Sequence, residues 1–271
     1  MGRSVLRLGL VGWPVAHSLS PRIHRVFMEQ TGVAGSYVGI PVHPDRAAVA
    51  LRRLWLHGIG GLNVTVPCKR AALQACFELA DSAVQAGAVN TLERTAGGWR
   101  GHNTDIAGFR ALAEEAEADE PFLVVGCGGA AGAVAAACTG MGAEALLFCR
   151  RPESYSGPKG ALPLERLQGY IRSGRGTLVN ATPLGWRADD SFPVDPADLR
   201  GLTVLDLNYS RLWAWRSQAS VEARKLLTGE RMLVCQAAAS FAIWTGKRPS
   251  VEPALLEVDR LLKRRSLREG D

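Results

Sequence analysis

At 271 residues, 47% hydrophobic and 21% charged, the chain has the composition of an ordinary globular protein of roughly two domains, which excludes a disordered or fibrous one. Its formal net charge of +6 allows nucleic acid or a small anion as partner, but the densest basic run (Lys263, Arg264, Arg265 and Arg268) ends a predicted helix. Cations suit that end of a helix dipole, so no nucleic-acid partner is expected.

The early apolar run is cut by Gly12 and Pro14, unlike a signal peptide. The longest weakly polar stretch, residues 130–142, is too short and glycine-dense to span a bilayer, so no membrane partner is expected. The six cysteines (Cys68, Cys76, Cys127, Cys138, Cys149 and Cys235) contain no C-x-x-C pair. That argues against a zinc site and a disulfide framework, and for a reducing cytoplasmic location.

In chain order, residues 6–11 read as a first strand. It runs into a loop ending Ser18-Leu19-Ser20-Pro21, where a hydroxyl before proline marks a helix start with Ser20 as N-cap. The helix runs to about Thr31 and stops at Gly32. Ser18 and Ser20 therefore stand where free N–H groups favour an anion. Residues 37–42 form a second strand and 45–57 an amphipathic helix. Residues 62–67 alternate apolar and polar, as a strand does, and deliver Lys69 to a strand's C-terminal end, where ligands gather in open α/β sheets. Residues 71–79 read as helix and 87–92 as strand. Gly97 and Gly98 then turn the chain back toward Asp105, at the start of a helix running to about Glu117.

Residues 122–148 combine a short apolar strand, a glycine turn, an alanine-rich helix and a second strand, which is one βαβ unit. Gly126, Gly128 and Ala131 fit G-x-G-x-x-A, with Gly129 as an extra small residue. Such a turn lets backbone N–H groups approach a pyrophosphate at the positive end of a helix. An NAD site usually places a carboxylate at the end of the second strand. Here Cys149, Arg150 and Arg151 stand there, and two guanidiniums suit a 2′-phosphate, so NADP is the expected cofactor. Beyond it, residues 164–171 read as a short helix, 177–182 and 202–207 as strands, 213–227 as a helix, and 232–244 and 252–265 as two closing helices.

Six segments occur in a telling order: Ser18-Leu19-Ser20-Pro21, the run Asn63-Val64-Thr65-Val66-Pro67-Cys68-Lys69, the run Gly87-Ala88-Val89-Asn90-Thr91, Asn103-Thr104-Asp105, the Gly126 turn, and Gln236-Ala237-Ala238. The set, which spans nearly the whole chain, resembles the shikimate dehydrogenase family. The resemblance implies NADPH-dependent, reversible reduction of 3-dehydroshikimate to shikimate, a step of aromatic amino-acid (chorismate) biosynthesis. It implies a catalytic pair, Lys69 and Asp105. It implies that Ser18 and Ser20 hold the substrate carboxylate with Tyr209, and that Thr65, Asn90, Asp105 and Gln236 bind ring hydroxyls. Gly126, Gly128, Gly129 and Ala130 would hold the pyrophosphate, Arg150 and Arg151 the 2′-phosphate, and Thr182 and Met232 would line the nicotinamide side. Cys149 departs from the family, which usually has asparagine there. Cys68 is expected to be a small packed thiol.

The fold expected is α/β, with two α/β domains. Residues 1–105 plus 231–271 would form an N-terminal substrate-binding and catalytic domain, and 106–230 a Rossmann-type dinucleotide-binding domain, with an interdomain cleft. Partners expected are a small-molecule substrate and, as oligomeric state, a monomer or homodimer; no metal is expected. Two other functions fit the same pattern less well. A quinate/shikimate dehydrogenase using NAD is opposed by Ser20, where quinate users often carry threonine, and by the arginines. A non-catalytic regulatory paralogue is opposed by retention of both Lys69 and Asp105.

Overall fold

The computed structural model describes residues 5–155, 157, 160–187, 189–209 and 213–269, with backbone alone for 266–269. The Arg268 side chain of the basic run lies outside the described residues. The chain divides into two compact units: Met1–Gly108 with Leu233–Val258, and Phe109–Met232 with Asp259–Asp271.

The first unit contains β1 (Leu6–Gly12), α1 (Ser20–Thr31), β2 (Gly35–Pro41), α2 (Ala47–Leu56), β3 (Gly61–Val64), α3 (Lys69–Ala75), β4 (Cys76–Leu79), α4 (Asp81–Ala86), β5 (Thr91–Arg94) and β6 (Trp99–His102), and the start of α5 (Asp105–Ala116). Its sheet has the order β2-β1-β3-β5-β6-β4. β1 is parallel to β2 and β3, while β5 runs antiparallel to both β3 and β6. One face buries Val11, Leu62, Val64, Leu92 and Trp99 against Ala47 and Leu51 of α2 and Ala72 of α3.

Three sequence expectations change here. The strand expected at 62–67 spans only Gly61–Val64, and all of it is buried; the polar Asn63 is accommodated there because its amide is fully engaged. The helix expected at 71–79 stops at Ala75, and Cys76–Leu79 becomes an edge strand parallel to β6. Pairing with a neighbouring strand outweighs local helix propensity there. The strand expected at 87–92 begins only at Thr91, because Gly87, at φ 61°, is the left-handed cap that ends α4.

The second unit contains β7 (Phe122–Val125), α6 (Gly129–Met141), β8 (Ala145–Cys149), β9 (Leu162–Pro163), α7 (Leu167–Ile171), β10 (Thr177–Asn180), β11 (Thr203–Asp206), α8 (Ala214–Glu222) and β12 (Lys225–Thr228). Two helices close the chain, α9 (Glu230–Thr245) and α10 (Glu252–Glu269). The sheet is wholly parallel, in the order β12-β11-β10-β7-β8-β9. Counted from β7, that is the doubly wound Rossmann order, whose switch point lies beside β7 and β10. The helix expected at 213–227 ends at Glu222, and Lys225–Thr228 completes the sheet beside β11. The tail from Asp259 onward groups with this unit, where residues 231–271 were expected to complete the first. No helix among the described residues is long and apolar enough to cross a membrane.

Candidate active site

The loop after β3 brings Lys69 to the first turn of α3, and the loop after β6 brings Asp105 to the first turn of α5. Lys69 Nζ donates to Asp105 Oδ2 at 2.7 Å, with the two side chains 21% and 12% exposed. The partial burial separates this pair from solvated surface ion pairs, which contribute little. Asp105 is held from two further directions. Its Oδ1 accepts from Asn90 Nδ2 at 2.8 Å, and its backbone N–H donates to Asn103 Oδ1 at 3.1 Å. Asn90 is fixed in turn, because its Oδ1 accepts from the Thr104 N–H at 2.8 Å and the Thr91 hydroxyl at 3.0 Å. A carboxylate at the start of α5 also suits the positive end of that helix.

Ser18 and Ser20 meet at the start of α1, though not as expected. Leu19 occupies the N-cap position, and Ser20 is the first helical residue. Ser18 Oγ accepts from the Ser20 N–H at 3.2 Å and donates to Ser20 Oγ, also at 3.2 Å. Ser18 thus does the capping expected of Ser20, and Ser20 is a largely buried residue whose hydroxyl accepts from that of Ser18.

Behind these motif residues lies a buried polar chain that the sequence reading did not assign. The Tyr37 hydroxyl donates to Asn63 Oδ1 at 2.8 Å, and Asn63 Nδ2 donates to Ser240 Oγ at 2.9 Å and Thr91 Oγ1 at 3.0 Å. Burial pushes the Tyr37 phenol up, opposed by a hydrogen bond with Ser20, so it remains a donor at any ordinary pH. Ser240 lies 3.1 Å from Thr104 Oγ1, which also donates to Gln236 Oε1 at 3.4 Å. Gln236 and Ser240 stand one helical turn apart on α9, so the helix contributes both from one face. That spacing, and a polar Asn63 amid apolar neighbours, were the available signals. His24 is buried and stacks on Tyr37 at a centroid distance of 4.0 Å; burial lowers its pKa to about 3, so its ring is neutral packing. Thr65 donates its backbone N–H to Val11 O at 2.9 Å and packs its methyl over Gly12. Cys68 is fully buried, as expected of a packed thiol.

In the second unit, Gly126 follows β7 with φ 125°, and a Cβ there would lie 3.0 Å from the Ala181 carbonyl oxygen beyond β10. Only glycine fits that backbone and that approach. Gly128 caps α6 and opens to empty space, and Gly129 and Ala130 form the helix's first turn. The first N–H groups of such a helix have no acceptor within it, which makes an anion site. Arg150 and Arg151 follow β8, exposed and without an ion-pair partner among the described residues.

Between turn and arginines, Cys127 and Cys149 form a disulfide with a Cα–Cα distance of 6.0 Å. This corrects the expectation drawn from scattered cysteines. The two are 22 residues apart in sequence, but Cys149 ends β8 and Cys127 lies two residues past β7, and these neighbouring strands pair up to Val125 and Phe148. No grouping of metal ligands occurs among the described residues.

Thr182 donates its N–H and hydroxyl to Asn180 Oδ1, at 3.1 and 2.6 Å. Asn208 ties the same loop by donating to the carbonyls of Thr182 and Leu184, at 3.0 and 2.7 Å. Both rest on Asp206 at the end of β11, fully buried, which accepts from Asn180 Nδ2 at 2.9 Å, the Asn208 N–H at 3.1 Å and Arg216 Nε at 2.9 Å. Tyr209 packs edge-on to Trp186 at 4.9 Å, and Met232 is buried early in α9. Hydrogen bonds thus join Ser18 to Ser20, and Lys69, Asn90, Asp105 and Gln236 to one another, within the first unit. Tyr209, expected to assist the serines, belongs to the second unit, as do the glycine turn, Arg150, Arg151, Thr182 and Met232.

Residues 10–92 match the shikimate dehydrogenase substrate binding domain, and residues 229–255 the shikimate 5′-dehydrogenase C-terminal domain. The chain is 40% identical over 267 residues to a shikimate dehydrogenase (NADP(+)) of Xylella fastidiosa strain 9a5c, covering 92% of this chain and 94% of that one. It is 38% identical over 257 residues to that of Acidiphilium cryptum, covering 91% and 93%. Among solved structures, shikimate 5-dehydrogenase from Thermus thermophilus, in complex with NADP(H) and shikimate, superposes with a TM-score of 0.83 at 32% identity, covering 94% of this chain and 99% of that one. With motif order, Rossmann sheet and whole-length similarity in agreement, the chain belongs to the shikimate dehydrogenase family.

Proposed function

We propose that the chain catalyses the reversible, NADPH-dependent reduction of 3-dehydroshikimate to shikimate, with Lys69 and Asp105 as its catalytic pair. The observation that carries this reading is the 2.7 Å contact between them, set in a fully engaged polar network. NADPH supplies the hydride that converts the substrate ketone to an alcohol. Negative charge builds on the ketone oxygen as this happens, and a fixed cation or proton donor there lowers the barrier. An ammonium has three donors, and one of Lys69's is taken by Asp105, which leaves two for substrate oxygens. Asp105 keeps the amine aimed, and Asn90 keeps Asp105 aimed.

The remaining assignments follow the same logic. Ser18 and Ser20 present hydroxyls beside the start of α1, where a carboxylate is favoured. Thr65, Asn90, Asp105 and Gln236 offer donors and acceptors suited to ring hydroxyls. Gly126, Gly128, Gly129 and Ala130 take the pyrophosphate, and Thr182 and Met232 border the nicotinamide.

The direct test is initial rates with shikimate or quinate, each with NADP or NAD. Fast turnover with shikimate and NADP alone is expected. Quinate with NAD running faster would overturn the substrate and cofactor, and a folded sample that binds shikimate but turns over in none of the four would overturn the enzyme reading. Arg150 and Arg151 bear on the cofactor specifically. Arg150→Ala with Arg151→Ala is expected to raise KM for NADP by about tenfold or more, the loss of charge-assisted contacts to one phosphate, while KM for NAD stays put. Equal effects on both cofactors would remove the arginines from the 2′-phosphate.

A further inference from the structure

We propose that the Cys127–Cys149 disulfide is a clamp that positions the NADP site, and that its reduction by a dithiol weakens NADP binding. This rests on the reading of the glycine turn and arginine pair given above. Cys127 stands between the two turn glycines, Gly126 and Gly128, and Cys149 immediately precedes Arg150. The bridge therefore joins the segment proposed to hold the pyrophosphate to the segment proposed to hold the 2′-phosphate.

Neighbouring parallel strands run about 4.8 Å apart, so residues at or just past their ends, such as Cys149 at the end of β8 and Cys127 beyond β7, fall within disulfide reach. Beyond the last paired residues, Val125 and Phe148, the Gly126 N–H donates to Phe148 O at 2.8 Å. The chains then part, one into α6 and the other into the Arg150 loop. The disulfide is placed at that divergence. Held there, the helix N-terminus and the arginines keep one spacing before a ligand arrives, and the ordering cost of binding falls. The exposed segment after Arg150 carries turn bonds such as Ser154 N to Arg151 O at 3.0 Å.

Both cysteines are partly exposed, and exposed Gly128 and Arg150 flank them, so a small reductant has access. The exchange is balanced with a dithiol. Its thiolate attacks one sulfur and the Cys127–Cys149 bond breaks; the second thiol closes to a cyclic disulfide, and two protons end on Cys127 and Cys149 as thiols. An oxidant of the disulfide class reverses it.

The test uses the full chain, air-oxidised or equilibrated with dithiothreitol, with the Cys127 and Cys149 thiols counted by mass spectrometry and NADP affinity measured by calorimetry. Reduction is expected to raise the NADP dissociation constant by about five- to tenfold and leave shikimate affinity unchanged. By reciprocity, saturating NADP should make the disulfide harder to reduce by the same factor, a readout independent of turnover. Cys127→Ser with Cys149→Ser should bind NADP as weakly as the reduced chain and ignore dithiothreitol. Should that variant not fold, the oxidised and reduced wild-type chains decide the matter. Equal NADP affinity in both states, a chain carrying both thiols after air oxidation, or a dithiothreitol effect surviving in the double serine variant would each overturn the clamp. If Arg150→Ala with Arg151→Ala leaves NADP affinity unchanged, the underlying site reading fails instead.

Discussion

Lys69→Ala is expected to lower kcat by about 10²- to 10⁴-fold, the range that one positioned proton donor contributes. The change should leave the fold intact, because Lys69 opens a helix, keeps its side chain partly in solvent, and is replaced by the best helix former. NADP affinity should not move, since the groups proposed to hold that cofactor are carried by the other unit. The loss should fall mainly on kcat, because the amine is called on most strongly as charge develops on the ketone oxygen. The checks are steady-state rates with shikimate and NADP, with calorimetry for cofactor binding. A variant that retains turnover within a few-fold of the parent would remove Lys69 from catalysis.

The second large effect is on stability. Arg216→Ala should destabilise the second unit by about 3–5 kcal/mol, the cost of stranding a buried charge. Asp206 has no exposed surface, and Arg216, 11% exposed, is its cationic partner. The loop bearing Thr182 and Asn208 is tied to that carboxylate, so it should loosen with it. Burial pushes the Asp206 carboxyl up, with Arg216 pulling it back down. Removing Arg216 lifts it further. A carboxyl raised in the folded state favours folding below its ordinary value, and that contribution is lost as pH rises through the folded value. The deficit of the variant should therefore be greatest near neutral pH and shrink on acidification, as Asp206 takes up a proton. Urea titrations across pH would show it. A deficit that is absent, or that grows on acidification, would count against the buried charge as its cause.

Much of the site was legible because its chemistry is local. A left-handed glycine at the end of a strand, a proline after a serine, and two arginines where a carboxylate usually stands each have a physical meaning within a few residues. That is why Gly126, Gly32 and the start of α5 at Asp105 came out close to their places. The misplaced N-cap shows the limit of this reasoning. Ser18 and Ser20 both satisfy the rule for a capping hydroxyl, and only the path of the backbone selects Ser18.

Short-range pattern was enough to point to the Rossmann-type second unit, the motif segments carrying Lys69 and Asp105, and the positive charge beyond β8. Four other features arise from long-range contacts. Cys76–Leu79 and Lys225–Thr228 became strands because neighbouring strands offered them hydrogen bonds. Tyr37, Asn63 and Ser240 became one network because α9 returns to the first sheet across 177 residues of separation. The C-terminal tail from Asp259 grouped with the second unit. Cys127 met Cys149 because parallel strand pairing carried both to one edge. Each of these is a pairing between distant segments, and composition and periodicity hold no record of which segments become neighbours.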